Sequence, residues 1–182
     1  MTPEPTPSQT VGPFFHDALL AENQTQLVSS DHPSAIRISG TIYDGAGDPV
    51  PDAMLEIWQA DTDGQYSRPG DEFPGFGRSG TDADGRFGFV TVKPGPVVGP
   101  DGGFQAPHIA VSVFARGLLK HLVTRIYFPE EEEANSADPV LASIEDPELR
   151  RTLIATGEGG VLRFDIRLQG DNQTAFFEFS DE

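Results

Sequence analysis

Cysteine is absent from this 182-residue chain. Its absence removes disulfides, zinc-thiolate sites and cysteine nucleophiles together, and is compatible with a reducing compartment. Cations are scarce as well: 12 Lys and Arg stand against 29 Asp and Glu, a formal net charge of −17. Phosphate backbones need clustered Lys and Arg, so nucleic acid is a poor partner, and an anionic membrane surface is no better. No apolar run approaches the length of a membrane span. The N-terminal Met-Thr-Pro-Glu-Pro-Thr-Pro-Ser-Gln-Thr lacks a basic region followed by an apolar run. No secretory signal is expected there, which makes the cytoplasm the expected compartment.

What the chain has is punctuation. Twenty Gly and 16 Pro are spread along it, with 13 Phe to fill an interior, as a single all-β domain with many turns requires. Residues 1–34 are proline-rich and lack strand-like alternation, so they read as an irregular arm, with a short helix over Phe14–Ala21 after Pro13. Ile36 to Tyr43, the turn Asp44-Gly45-Ala46-Gly47-Asp48-Pro49, and Met54 to Trp58 read as strand, turn, strand. Asp61-Thr62-Asp63-Gly64 opens an irregular stretch from Gln65 to Gly80 that is too long for a hairpin loop.

Further strands are expected over Arg86–Val92, His108–Phe114, Leu122–Phe128, Val161–Leu168 and Thr174–Phe179. Pro147–Ile154 is the best short helix, with acid early and base late, and Glu130–Glu133 reads as a solvated acidic loop. The expectation is a two-layer β-sandwich of about eight strands with one or two short helices, spanning residues 35–182.

Chemistry is harder to find. His108 and Ala110 share one face of a strand, where two histidines could grip one metal ion, but Ala110 offers no donor. His16, His32 and His121 lie at no spacing that would recruit them, and no Gly-x-Ser-x-Gly elbow is present. On residues alone, a β-sandwich binding or interaction module stands beside an enzyme subunit.

Longer blocks narrow the choice. Gly40-Thr41-Ile42-Tyr43-Asp44, Val50 to Ala60, Asp61-x-Asp63-Gly64-x-Tyr66, Thr81-Asp82-x-Asp84-Gly85-x-Phe87 and Val92-Lys93-Pro94-Gly95-Pro96 follow in order. Together they resemble the intradiol ring-cleavage dioxygenases. The resemblance implies iron(III) held by two tyrosines and two histidines, binding a catechol through both hydroxyls before oxygen attacks the ring. At the matching positions this chain has Phe73, Val97, His108 and Ala110, and Gln105 where an arginine ordinarily precedes the histidine pair. Only His108 keeps a ligand type.

That pattern, with Thr6 to Phe14, Phe114-Ala115-Arg116-Gly117, Thr124 to Phe128 and Arg163 to Arg167, is similar to the iron-free chain of the heteromeric members. Those work beside an iron-bearing beta chain on protocatechuate and oxygen, giving 3-carboxy-cis,cis-muconate. The resemblance implies that Thr10, Gly12, Pro13 and Arg116 line the substrate pocket of the beta chain, and that the arm packs on that partner. Arg116 would favour the substrate carboxylate, with a salt bridge at the subunit interface as its competing role.

Overall fold

The computed structural model describes residues 9–12, 14–20, 24–100 and 102–178. In chain order its elements are α1 (Phe15–Leu19), β1 (Ala35–Tyr43), β2 (Met54–Trp58), β3 (Phe76–Gly80), β4 (Arg86–Val92), β5 (Val97–Val98), β6 (Phe104–Gln105), β7 (His108–Phe114) and β8 (Leu122–Tyr127). Then come α2 (Glu132–Ala137), α3 (Pro139–Ala142), α4 (Pro147–Arg151), β9 (Thr156–Glu158), β10 (Val161–Arg163) and β11 (Ile166–Arg167). No helix among the described residues is long and apolar enough to cross a membrane.

Two sheets face each other, as alternation along the long strands demands. In β1, Ile36, Ile38 and Ile42 are buried while Arg37 and Ser39 point outward. That strand pairs antiparallel with β4 from Ala35↔Val92 to Thr41↔Arg86, and its other edge takes β10 and then β11 in parallel. The second sheet runs β3-β2-β7-β8. Leu55, Ile57, Ile109, Val111 and Val113 turn inward from it to meet Ile38, Ile42, Phe87 and Phe89, forming the principal core. Each such side chain taken fully out of water contributes about 2 kcal/mol.

The sandwich expected from sequence is present, with additional small pieces. The turn at Asp44–Asp48 closes on itself, Asp44 N donating to Asp48 O at 2.9 Å, and the chain crosses to the other sheet. Hence β1 and β2 are not a hairpin: β1 pairs with β4, and β2 with β3 and β7. The stretch read as irregular to Gly80 ends in β3, whose Phe-Gly-Arg-Ser-Gly carries no β-branched residue to signal a strand. Val161–Leu168 is split into β10 and β11 at Phe164 and Asp165, where the Asp165 carboxylate accepts the Thr41 amide at 2.9 Å.

Thr174–Glu178 is not a strand. Thr174 N goes to Arg167 O and Ala175 N to Thr152 Oγ1, leaving an isolated bridge from Phe177 to Val123. The rest of that expected strand, Phe179, lies outside the described residues. The helix expected to Ile154 stops at Arg151, and the acidic run is only partly a loop, since Glu132 and Glu133 open α2 while Glu130 and Glu131 hold Lys93.

The arm does not stand wholly apart from the sandwich. Leu27 N donates to Val90 O and Val90 N to Thr25 O, both at 2.8 Å, while Arg78 N donates to Gln24 O at 3.0 Å. Residues 24–27 therefore strap the open edges of β4 and β3, blunting both.

Candidate functional site

The blocks after β2 and β4 turn out to form a packing joint. Asp61 Oδ1 accepts the amides of Asp63 and Gln65 at 2.9 and 2.8 Å, tightening the turn after β2. Against that turn lies Lys93-Pro94-Gly95-Pro96, with Gly95 N donating to Asp61 O at 2.8 Å. A Cβ on Gly64 would sit 2.1 Å from Pro96 O, and Gly64 has φ +75°. Only glycine admits that close approach. Gln59, 1% exposed, ties the same corner to β4 through Thr91 Oγ1 at 2.8 Å and Val92 O at 2.9 Å.

Once this corner is set, β5 and β6 follow, and two of the degenerate positions, His108 and Ala110, fall on the outer face of the second sheet. His108 and Ala110 alternate with the inward Ile109 and Val111 on β7, so both face away from the core. Val97 pairs with Gln105 in the β5–β6 ribbon, and Gln105 Oε1 accepts from Arg125 Nη1 at 3.0 Å. Arg125 in turn stands opposite Ala110 across β7 and β8. Val97, His108 and Ala110 thus share one neighbourhood. Phe73 does not join them: it packs against the principal core.

His108 is 6% exposed, and its Nδ1 lies 2.8 Å from Ala106 O. A carbonyl only accepts, so Nδ1 carries the proton. The ring is tilted over Tyr127, with centroids 5.7 Å apart. Burial, reinforced by the Arg125 charge, pushes its pKa down to about 4, so the imidazole is neutral at pH 7.

Beneath it is a polar network that sequence reasoning missed. The fully buried Asp138 accepts from Ala106 N at 2.8 Å, from Val140 N and Leu141 N at 2.9 Å each, and from Tyr127 Oη at 3.2 Å. Arg125 Nη1 donates to the same phenol oxygen at 3.2 Å. Burial pushes the Tyr127 phenol far up, so it stays protonated. Arg125 and Tyr127 at i and i+2 on a strand opposite His108 were the available signal.

These residues do not fit iron(III). Val97 and Ala110 have no donor atom, Phe73 has none and packs against the principal core, and the single imidazole of His108 offers one nitrogen, Nε2, where a metal needs several protein ligands. Among the described residues no three His, Asp or Glu side chains converge as a metal site.

The expected pocket residues are distributed differently. Thr10 is exposed and its Oγ1 accepts from Gly12 N at 3.4 Å. Gly12, at φ +76°, has nothing within 4 Å of a notional Cβ. Pro13 lies outside the described residues. Arg116, 70% exposed, pairs through Nε with Asp52 Oδ2 at 3.0 Å. No described contact joins Thr10 or Gly12 to Arg116. Asp52, the partner of Arg116, carried no signal in sequence. A cleft of about 380 Å³ opens beside Val97, which lines it with Gly64, Tyr66, Arg68 and Val98 among others.

A family model described as Dioxygenase matches residues 10–170. The chain is 44% identical to the protocatechuate 3,4-dioxygenase alpha chain of Pseudomonas putida, over 96% of each chain. It is 40% identical to the protein of the same name from Burkholderia cepacia, over 95% of this chain and 96% of that one. The protocatechuate 3,4-dioxygenase beta chain of Burkholderia cepacia is 32% identical, over 94% of this chain and 72% of that one. Among solved structures, the dioxygenase domain of a dioxygenase carbohydrate-binding fusion from Streptomyces sp. SirexAA-E superposes with TM-score 0.58 at 29% identity. The match covers 94% of this chain and all (100%) of that one.

Proposed function

This chain belongs to the intradiol dioxygenase family, and from that premise we propose that it is the iron-free alpha subunit of a protocatechuate 3,4-dioxygenase. Its partner is a beta chain that carries the iron(III), and the assembled enzyme opens protocatechuate with oxygen to 3-carboxy-cis,cis-muconate. The observation that carries this reading is the chemistry of the degenerate positions. Val97 and Ala110 cannot ligate a metal, and His108 is one imidazole with no group of further metal-ligating side chains around it among the described residues. The ring-cleaving chemistry is supplied by the metal of the partner, and no step of it passes through the residues of this chain.

The contribution of this chain is a wall of the substrate pocket. In this reading the arm packs on the beta chain, Gly12 lets backbone approach the aromatic ring, Pro13 stiffens that approach, and Thr10 offers a hydroxyl. Arg116 supplies positive charge for the substrate carboxylate. Its Nε is held by Asp52, which orients the guanidinium and leaves its outer edge for an anion. A cytoplasmic location belongs to the same reading and is compatible with a chain that has no cysteine.

Production with and without a candidate beta chain, followed by iron analysis and oxygen uptake on protocatechuate, tests the assignment. The expected result is iron and ring cleavage only when the beta chain is present. Stoichiometric iron and ring cleavage by this chain alone would overturn it.

A further inference from the structure

The loop from β7 to β8 is held at its base and presents cations at its tip. The two strands pair as far as Val113 and Leu122. Beyond that pair the rings of Phe114 and His121 stack, with centroids 5.3 Å apart and planes at 23°. Inside the loop Leu118 N donates to Ala115 O at 3.2 Å, closing a turn whose Gly117 sits at φ +91°. Ala115 belongs to the principal core and Leu118 packs against it, so Arg116 and Gly117 are left pointing outward. Asp52 comes from the same end of the sheet, just ahead of Met54, which pairs with Phe114.

Arg116 and Lys120, both exposed on this loop, are not equivalent. Arg116 Nε is paired with Asp52 Oδ2 at 3.0 Å, so its charge is matched by a carboxylate, and from a distance the pair acts as a dipole. What Arg116 keeps is direction, because the remaining N–H groups of its planar fork can meet a carboxylate edge-on. Lys120 is exposed and has no ion pair or hydrogen bond among the described residues. Its charge is uncompensated. The chain around it carries a net −17, a background that repels any anion arriving from solution. A free ammonium acts over about 8 Å at physiological salt, well beyond contact range.

We propose that Lys120 steers the anionic substrate: its free ammonium draws the carboxylate of the aromatic acid to this loop, where Arg116 fixes the orientation of the ring. The proposal rests on the reading above, in which Arg116 faces the substrate carboxylate in the assembled enzyme. Attraction and orientation are then divided between two residues. A lysine alone attracts without orienting, because an ammonium is a point charge, and an arginine matched by Asp52 orients with little pull at a distance. The division also bears on selectivity among catechols, since Lys120 favours a substrate that carries a carboxylate and gives nothing to one that does not. Because steering precedes the chemistry, its effect falls on Kd and KM rather than on kcat.

The experiment uses the enzyme assembled with the beta chain, as wild type, Lys120→Gln, Lys120→Arg and, as a charge control, Arg37→Gln. Arg37 is exposed on β1 and is likewise in no ion pair among the described residues. Binding of protocatechuate is measured by calorimetry without oxygen, and KM and kcat with oxygen, each at about 20 mM and about 0.5 M salt. Lys120→Gln is expected to raise Kd and KM about fivefold at low salt and less than about twofold at high salt, with kcat held. Lys120→Arg, which restores the charge, and Arg37→Gln, which removes one elsewhere, are expected to match wild type. Catechol is expected to show no such loss. A wild-type Kd for Lys120→Gln at low salt overturns the steering role, as does a loss that salt leaves undiminished, an equal loss with catechol, or an equal loss in Arg37→Gln. Failure of Lys120→Gln to assemble, read as chain stoichiometry after size exclusion, would make Lys120 an assembly residue and overturn the proposal too. Failure of wild type to assemble, or of Arg116→Ala to weaken protocatechuate binding, overturns the underlying reading instead.

Discussion

His108 Nδ1 lies 2.8 Å from the carbonyl oxygen of Ala106, two residues back along the chain. That contact fixes the tautomer of the ring, with the proton on Nδ1. The ring is desolvated, neutral and held against Tyr127, and its proton closes a local loop at the start of β7.

Stability should therefore fall with acid in a defined window. Burial pushes the pKa of His108 down to about 4 in the fold, against the ordinary histidine value of 6.5. Between those values the unfolded chain binds the extra proton, so stability is complete above pH 6.5 and declines as pH drops toward 4. The full loss is on the order of 3 kcal/mol. Thermal midpoints taken across pH 7 to 4 check this. His108→Gln should flatten the part of the slope that this residue causes, and an unchanged slope would show that carboxylates alone produce it.

Asp138 should be less replaceable than any surface acid. Alanine there strips acceptors from Ala106 N, Val140 N, Leu141 N and Tyr127 Oη, all within 3.2 Å of its carboxylate. Stranding buried donors costs roughly 1 to 3 kcal/mol each. A drop in unfolding free energy of about 3 kcal/mol or more is expected in urea melts. Asp138→Asn, which keeps one acceptor oxygen, should lose less.

Gly64 and Gly47 make a matched pair. Both have positive φ, +75° and +87°, but a Cβ at Gly64 meets Pro96 O at 2.1 Å while one at Gly47 meets nothing within 4 Å. Gly47→Ala should cost about 1 kcal/mol for backbone strain alone. Gly64→Ala should cost well over twice that, since it also wedges the turn after β2 away from Pro96. Equal melting midpoints for the two variants would contradict the joint described above.

Arg116→Ala in the assembled enzyme should raise KM for protocatechuate about tenfold or more, the loss of a charge-assisted contact of roughly 1.5 to 3 kcal/mol. Turnover of catechol, which lacks the carboxylate, should change little. Equal losses on both substrates would assign Arg116 to the subunit interface instead.

Much of this architecture was legible in one dimension because its long strands alternate: Ile36, Ile38 and Ile42 in β1, and Ile109, Val111 and Val113 in β7, announce a buried face by type and spacing. β3 was not, since Phe-Gly-Arg-Ser-Gly is a strand only through its partners: β2 on one edge and Gln24 on the other. Nor was the separation of β1 from β2, because the turn at Asp44 has the same local chemistry whether or not the strands beside it pair.

The sequence by itself determined which groups could not act: no thiol, no tyrosine between Ser67 and Gly80, and alanine where a second histidine would stand. Those are facts of composition and order, and folding cannot add a donor atom. Only the tertiary structure decided what the remaining groups do. It buried His108 against Tyr127 and Ala106, paired Arg116 with Asp52 across 64 residues, packed a half-buried Phe73 against the core, and left Trp58 and Tyr66 stacked in the open. Each of those outcomes depends on which distant segments come within hydrogen-bond or van der Waals reach, and distance of that kind is set by packing between sheets rather than by neighbours in the chain.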